Sequence, residues 1–334
     1  MTFAHRLCLA IALVFSASTP AAEPLRGAGA TFPAPVIDAW AEAWAAASGT
    51  PVRYDPIGSG LGIELASRGQ VDFGVTDAPL PDDRLAAAGL RQFPVVIGAV
   101  VPVVNIAGIA PGRLVLDAAT LSAIYRGRIV NWRDPAIAAL NPGLALPDAR
   151  ITVVHRADAS GSTWLWTHWL SESDPAWRDA LGSGTTIAWP VGDEGLGNEG
   201  VASLVQRTRW AIGYVAWAYA RAHHLSDVAL PSHDGPVVRA SRASFASAVA
   251  AARWRTAADL EQSLIDAPGA GSWPIVGASF ALVNRGSARA PDVMALFEWT
   301  RTAPAAAIAD DRGYFALPAD AIALIARSLA QETR

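Results

Sequence analysis

The chain has 334 residues, of which 52% are hydrophobic and 17% are charged, so a disordered chain is excluded and there is enough length for two domains with their own cores. Its formal net charge of -4 provides no basic field, so we expect no nucleic-acid partner. All 26 cationic Lys or Arg side chains are arginines, which excludes lysine-dependent motifs such as the Walker A loop.

The first 22 residues predict a secretory signal peptide. His5 and Arg6 give a short polar start, Leu7 to Phe15 form an apolar core, and small residues follow as far as Ala22. Cys8, the only cysteine, lies inside this segment and precedes most of its apolar core, so we expect no lipid-modified cysteine and no disulfide. The segment therefore predicts export to the periplasm of a soluble protein.

Strand and helix patterns alternate through the first third of the chain. Gly27 to Pro33 indicates a Gly-rich turn that runs into a helix to about residue 47. The next segments are predicted as a strand at 52–54, a helix at 58–68, a strand at 71–75, a helix at 82–88 and a long apolar strand at 93–106. This alternation is typical of an α/β fold with a mostly parallel sheet that is covered on both faces.

The rest of the chain continues the alternation. The predicted helices are 121–125, a helix that starts at 131–135, 164–170, a helix that ends at 206, 245–252, 256–265, 293–300 and 319–330; the predicted strands are 151–154, 211–214 and 273–283. Residues 192–200, rich in glycine, predict a mobile loop. The two long apolar strands, near 95–106 and 274–283, are the candidates for crossings between two lobes.

Three turns between a strand and a helix share one local pattern: Ala30-Thr31-Phe32, Gly58-Ser59-Gly60 and Ser160-Gly161-Ser162. Each offers backbone N–H groups and a hydroxyl at a helix start, where unpaired amides carry partial positive charge. Strand ends and the helix starts that follow them meet at one rim of a parallel sheet, so the three turns can converge there. Taken singly, each hydroxyl could equally be a helix N-cap.

Two charged residues fall at the same rim. Asp77 follows a predicted strand, and Arg156 follows another. Neutral donors together with one guanidinium form a cradle for a small oxyanion. Asp77 alone could be a turn residue before Pro79. No metal-ligand pattern, no cofactor motif and no catalytic motif is present in this sequence, so we expect no metal, no cofactor and no enzymatic activity.

Several motifs in order along nearly the whole mature chain resemble the phosphate-binding subunit of bacterial phosphate ABC transporters, a type II periplasmic substrate-binding protein. They are GAGATFPAPV (27–36), VDFGVTDAPL (71–80), RQFPVVIGAVVPVVNI (91–106), IYRGRIVNW (124–132), LNPGLALP (140–147) and RADASGST (156–163). The resemblance implies two α/β lobes, each a mixed, mostly parallel sheet flanked by helices, joined by two crossing strands. We expect lobe 1 to comprise residues 23–104 and 276–334, and lobe 2 residues 105–275.

The resemblance also implies a role for each candidate site residue. The ligand would be inorganic phosphate, as hydrogen phosphate or dihydrogen phosphate, held between the lobes for delivery to the inner-membrane permease of an ABC transporter. Arg156 would pair with the phosphate while Asp158 holds the guanidinium in place. Ser162 stands where the family usually has threonine, which keeps both the amide and the hydroxyl. The phosphate donors implied on the two lobes are Thr31, Phe32 and Ser59 on one, and Ser160, Gly161 and Ser162 on the other.

Asp77 is implied to accept the hydrogen of a protonated phosphate oxygen. Sulfate lacks that hydrogen, so a buried carboxylate would be left unpaired against it, at a cost of about 1–3 kcal/mol or more. The alternatives that stay open are a secreted phosphatase-type enzyme, a phosphate sensor on the same fold, and arsenate as the ligand. We expect a monomer.

Overall fold

The structure, a computed structural model, describes residues 22–252, 254 and 264–332. All but the last residue of the predicted signal peptide, and most of the helix predicted at 256–265, lie outside the described residues. In the described ranges no helix combines the length and the apolar character needed to span a membrane.

The first third of the chain forms strands and helices in alternation, as the sequence predicts. In chain order these are β1 (Leu25–Gly29), α1 (Ala34–Ser48), β2 (Val52–Asp55), α2 (Ser59–Ser67), β3 (Phe73–Thr76), α3 (Asp82–Ala88) and the long β4 (Leu90–Val104). Helix α1 begins directly after Pro33 and buries Val36, Ile37 and Trp40, the face that its apolar spacing predicts.

The middle and the end of the chain supply the remaining elements. The middle contains α4 (Ala118–Tyr125), α5 (Pro135–Leu140), β5 (Thr152–Arg156), α6 (Gly161–Ser173), α7 (Pro175–Ala180), β6 (Asp193–Gly195), α8 (Gly197–Arg207), β7 (Ala211–Ala216), α9 (Trp217–Ala222), β8 (Ser226–Asp227), β9 (Leu230–Pro231), β10 (Val237–Val238) and α10 (Arg242–Ala251). The end contains β11 (Val276–Asn284), α11 (Ala290–Trp299), α12 (Ala303–Asp311) and α13 (Ala319–Glu332).

Nine of the described strands form one mixed sheet, in the order β2-β1-β3-β11-β4-β7-β5-β6, with β8 also paired to β4. Pairing is parallel at both ends of the sheet, between β1 and its two neighbours and between β5 and its two neighbours. It is antiparallel around the two long apolar strands. We call β2, β1, β3 and β11 the first half of the sheet, and β7, β5 and β6 the second half.

Strand β4 connects the two halves. Its residues 90–99 pair with β11, and its residues 100–104 pair with β7. The mixed, two-lobed α/β architecture is therefore present, with β4 continuous from one half to the other. Because the parallel strands of each half are followed by helices, the turns after β1, β2, β3 and β5 come together between the halves.

Two sequence expectations about glycine-rich segments are wrong. The stretch predicted as a Gly-rich turn at 27–33 contains most of β1, because Gly27 and Gly29 let this strand lie against β3 and its side chains: a Cβ at Gly27 would collide with the Phe73 ring and one at Gly29 with the backbone of Val75. Only residues 30–33 turn toward the helix.

The segment 192–200, predicted as a mobile loop, contains β6 and the first turn of α8. Strand β6 pairs in parallel with β5, from Val154 opposite Asp193 to Arg156 opposite Gly195. Gly195 permits close contact with the first turn of α8, since a Cβ there would lie 2.6 Å from the backbone nitrogen of Val201. Glycine serves here for close packing, which composition does not distinguish from flexibility.

Candidate oxyanion site between the two halves

Three turns and two charged side chains converge between the halves of the sheet. All of the predicted ligand residues are buried: Thr31, Phe32, Ser59, Asp77, Arg156, Ser160, Gly161 and Ser162. Direct contacts join the halves at this point, because the hydroxyl oxygen of Ser59 accepts from the N–H of Gly161 at 3.1 Å and the N–H of Gly60 donates to the carbonyl of Ala159 at 3.0 Å. The structure thus brings together all the residues that the sequence nominated.

The first turn, after β1, is held by three tyrosines. The hydroxyls of Tyr54, Tyr219 and Tyr314 donate to three consecutive carbonyls, those of Ala30, Thr31 and Phe32, at 2.7, 2.8 and 2.5 Å. Sequence reasoning missed these tyrosines, since they lie far apart along the chain and belong to no motif. They fix the peptide planes of the turn, in which Ala30 donates its N–H to Val75 while the N–H groups of Thr31 and Phe32 have no acceptor among the described residues.

Four buried residues at the site present backbone N–H groups without a protein acceptor among the described residues. They are Thr31, Phe32, Ser59 and Ser162. Ser59 and Ser162 lie in the first turns of α2 and α6, where the helix itself supplies no acceptor. Because buried N–H groups are nearly always paired in native proteins, these four amides indicate a site for an acceptor ligand.

Arg156 is held by a carboxylate. Its Nε donates to Asp158 Oδ1 at 2.8 Å, and its Nη2 donates to Asp158 Oδ2, which forms a fork between the two side chains. The N–H of Gly197 also donates to Asp158, at 3.0 Å. Although desolvation opposes it, the hydrogen bond and charge of Arg156 lower the pKa of Asp158, so this carboxyl stays ionised. The fork leaves the Nη1 hydrogens of Arg156 for a ligand.

Asp77 is the one carboxylate among the predicted ligand residues. Desolvation raises its pKa to about 7, against the hydrogen bond from Ser279 and the charge of Arg156, which both lower it. The Ser279 hydroxyl donates to Oδ1 at 2.7 Å. The other oxygen, Oδ2, faces Gly161, where a Cβ would lie 2.5 Å away. A carboxyl with this pKa can accept or release a proton near neutral pH.

An aromatic layer packs behind the second half of the site. Trp166 stacks on Tyr214 with ring centroids 5.2 Å apart, and both are fully buried. The Tyr214 hydroxyl lies 2.6 Å from that of Thr163 and accepts from the N–H of Arg156 at 3.4 Å. Trp166 of α6 therefore supports the turn by packing. His155 stacks on Trp189 with ring centroids 4.8 Å apart.

Asn198 is a further site residue that sequence reasoning missed. It is fully buried at the start of α8, and its side chain contacts the hydroxyls of Thr31 and Ser162 at 2.8 and 3.2 Å. It lies inside the segment predicted as a loop. The only feature of the sequence that could have indicated Asn198 is its position between Gly197 and Glu199 at a helix start. That position by itself indicates no more than a turn.

Comparison with known proteins agrees with this architecture. Residues 16–302 match the model of the PBP superfamily domain. The chain is 40% identical over 291 residues to the phosphate-binding protein PstS of Pasteurella multocida, covering 86% of this chain and 85% of that protein. It is 42% identical over 292 residues to the phosphate-binding protein PstS of Xylella fastidiosa strain Temecula1, covering 85% of this chain and 80% of that protein.

Solved structures of other proteins share this fold. A phosphate-binding protein from Stenotrophomonas maltophilia superposes with a TM-score of 0.69 at 19% identity, covering 91% of this chain and 93% of that one. Fold and relatives together define a two-lobed substrate-binding protein, with the candidate oxyanion site between its halves. Within that class, the chain belongs to the family of the phosphate-binding subunits of phosphate ABC transporters.

Proposed function

We propose that this protein captures inorganic phosphate between its two lobes in the periplasm and delivers it to the permease of an ABC transporter. This proposal rests chiefly on the four buried backbone amides that lack an acceptor in the described part of the chain and share the site with Asp77 and Arg156. Both of the relatives compared above are named phosphate-binding proteins, which supports the same ligand. Lobe 1 would comprise residues 23–104 and 276–334, and lobe 2 residues 105–275, with the signal peptide at 1–22 removed on export.

Each site residue has a role in this proposal. The N–H groups of Thr31, Phe32, Ser59 and Ser162, with the hydroxyls of the threonine and serines including Ser160, donate to the phosphate oxygens. Gly161 belongs to the same cradle, and its N–H donates to Ser59 Oγ across the two halves. Arg156 neutralises charge through Nη1, and Asp158 keeps the guanidinium in position. Since these groups come from both halves of the sheet, a ligand that bridges them favours the closed arrangement.

Asp77 confers selectivity for a ligand that carries one proton. The ionised carboxylate of Asp77 accepts the hydrogen of hydrogen phosphate, so the two groups share a single proton. Sulfate brings no such hydrogen to an ionised Asp77. Arsenate has the protonation chemistry of phosphate, and this site does not distinguish the two by proton count.

Calorimetric titration of the mature protein, freed of ligand by unfolding and refolding, tests the proposal. We expect one phosphate bound per chain at pH 8 and no heat from sulfate, because Asp77 is then ionised. Absence of phosphate binding would remove the proposed function. Steady hydrolysis of a phosphomonoester by the same preparation would instead favour the enzyme alternative, and phosphate binding without uptake by cells would favour a sensor.

Closure of the site depends on the absence of a side chain at Gly161. A Cβ there would lie 2.5 Å from both Cβ and Oδ2 of Asp77, which belongs to the opposite half. We expect Gly161→Ala to weaken phosphate binding by about tenfold or more, because overpacking by one methyl group costs about 1–3 kcal/mol. The matched control is Gly271→Ala, where a Cβ would meet nothing closer than Ser247 Oγ at 3.8 Å. Equal affinities in the same titration would contradict this role of Gly161.

A further inference from the structure

The hydroxyl groups at the site already serve as acceptors within the protein. Thr31 Oγ1 accepts from the backbone N–H and the side-chain Nδ2 of Asn198, at 3.1 and 2.8 Å. Ser59 Oγ accepts from the N–H groups of Gly161 and Asp77, at 3.1 and 3.4 Å. A hydroxyl oxygen has two lone pairs and one hydrogen, so in both side chains the hydrogen is left to donate elsewhere.

The orientation of the Asn198 amide is chemically determined. Its Oδ1 accepts from the backbone N–H of Ala216 at 2.7 Å, and a backbone N–H can only donate. The Nδ2 group must therefore face the other way, toward Thr31 and Ser162. Its two hydrogens reach one hydroxyl from each half of the protein, so a single amide controls the hydroxyl direction on both sides of the site.

We infer that Asn198 is a specificity-determining positioning residue: without touching the ligand, it holds the Thr31 and Ser162 hydroxyls as donors toward a bound oxyanion. This inference rests on the proposed function. A hydroxyl whose lone pairs are free can also accept a hydrogen bond, so it can pair with a protonated ligand oxygen without loss of binding energy. Asn198 occupies both lone pairs of Thr31 Oγ1 and one lone pair of Ser162 Oγ. Thr31 can then only donate and Ser162 is biased toward donation, so both favour deprotonated oxygens, and Asp77 remains the acceptor for the one protonated oxygen. The site then discriminates between oxyanions by both the number and the position of their hydrogens.

A double-mutant cycle separates this role from a merely structural one. Asn198→Ala should weaken phosphate binding about tenfold, the combined effect of two neutral donors that are no longer oriented. In the background of Thr31→Val together with Ser162→Ala, which lacks both hydroxyls, the same change should cost less than about twofold. Loss of the acceptor for Ala216 N–H contributes equally in both backgrounds, so the difference between them isolates the effect through the hydroxyls.

Tyr219→Phe is the matched control, because it removes another contact to Thr31 that uses the carbonyl and not the hydroxyl. Tyr219→Phe should weaken phosphate binding by the same factor whether or not the hydroxyls of Thr31 and Ser162 are present. Asn198→Asp, which keeps an acceptor for Ala216, replaces Asn198→Ala in the cycle if the alanine variant does not fold. Phosphate binding with equal losses in both backgrounds would overturn this inference alone. Failure of the parent protein to bind phosphate would overturn the proposed function and this inference together.

Discussion

Arg156→Ala is expected to weaken phosphate binding by more than about 1.5 kcal/mol, or more than about tenfold, because a charged hydrogen bond is lost. The change also leaves the carboxylate of Asp158 without its guanidinium partner, next to the proposed position of the anion. Calorimetric titration of phosphate into the ligand-free variant measures the loss. A change of only a few tenths of a kcal/mol would mean that Arg156 is peripheral.

The chain offers a matched control for this experiment. Arg133 also pairs with a carboxylate, that of Asp148 at 3.4 Å, but both side chains are more than half exposed. An exposed ion pair contributes little, so Arg133→Ala should leave phosphate affinity and stability nearly unchanged. Equal losses in the two variants would indicate a general effect of net charge and not a contact at the site.

Asp77→Asn is expected to stabilise the ligand-free protein at pH 8 by up to about 4 kcal/mol. This value corresponds to the difference between the ordinary carboxyl pKa of 3.8 and the folded-state pKa of about 7. A raised folded-state pKa means that the parent loses stability as the pH rises from about 4 to about 7, while the neutral amide carries no such cost. The hydrogen bond from Ser279 can be kept by the amide oxygen.

Urea unfolding at several pH values checks this expectation. The gain of the variant over the parent should be close to zero near pH 4 and reach its plateau above pH 7. Asp179→Asn, at a side chain that is 79% exposed, is the control and should change the free energy of unfolding by a few tenths of a kcal/mol at most. A gain independent of pH, or a loss at pH 8, would show that burial does not destabilise the ionised form of Asp77.

The same variant has a functional counterpart. Asp77→Asn should let sulfate compete with phosphate, since an amide can donate to an oxyanion where the carboxylate repels it. The parent itself should admit sulfate as the pH falls below about 7, because protonated Asp77 then supplies the hydrogen that sulfate lacks. Unchanged exclusion of sulfate in the variant, measured by competition in the phosphate titration, would contradict the proton-acceptor role. Together the two measurements test whether the carboxylate that excludes sulfate also lowers the stability of the ligand-free protein.

The sequence by itself determined the α/β class, most helices and strands, and the residues nominated for the site. It could do so because these features are local: apolar periodicity marks α1, a continuous apolar run marks β4, and a Ser or Thr in a turn of small residues marks a helix start. The motif at 156–163 also contains the Arg156–Asp158 pair, whose partners are two residues apart.

Only the tertiary structure decided which distant groups complete the site. Tyr54, Tyr219 and Tyr314 orient one turn, Ser279 supports Asp77, and Asn198 links hydroxyls from both halves. These partners are up to 282 residues apart along the chain, so no local pattern predicts their contacts. The raised pKa of Asp77 likewise depends on burial between the halves of the sheet, because desolvation is a property of the assembled fold and not of the residue's neighbours in sequence.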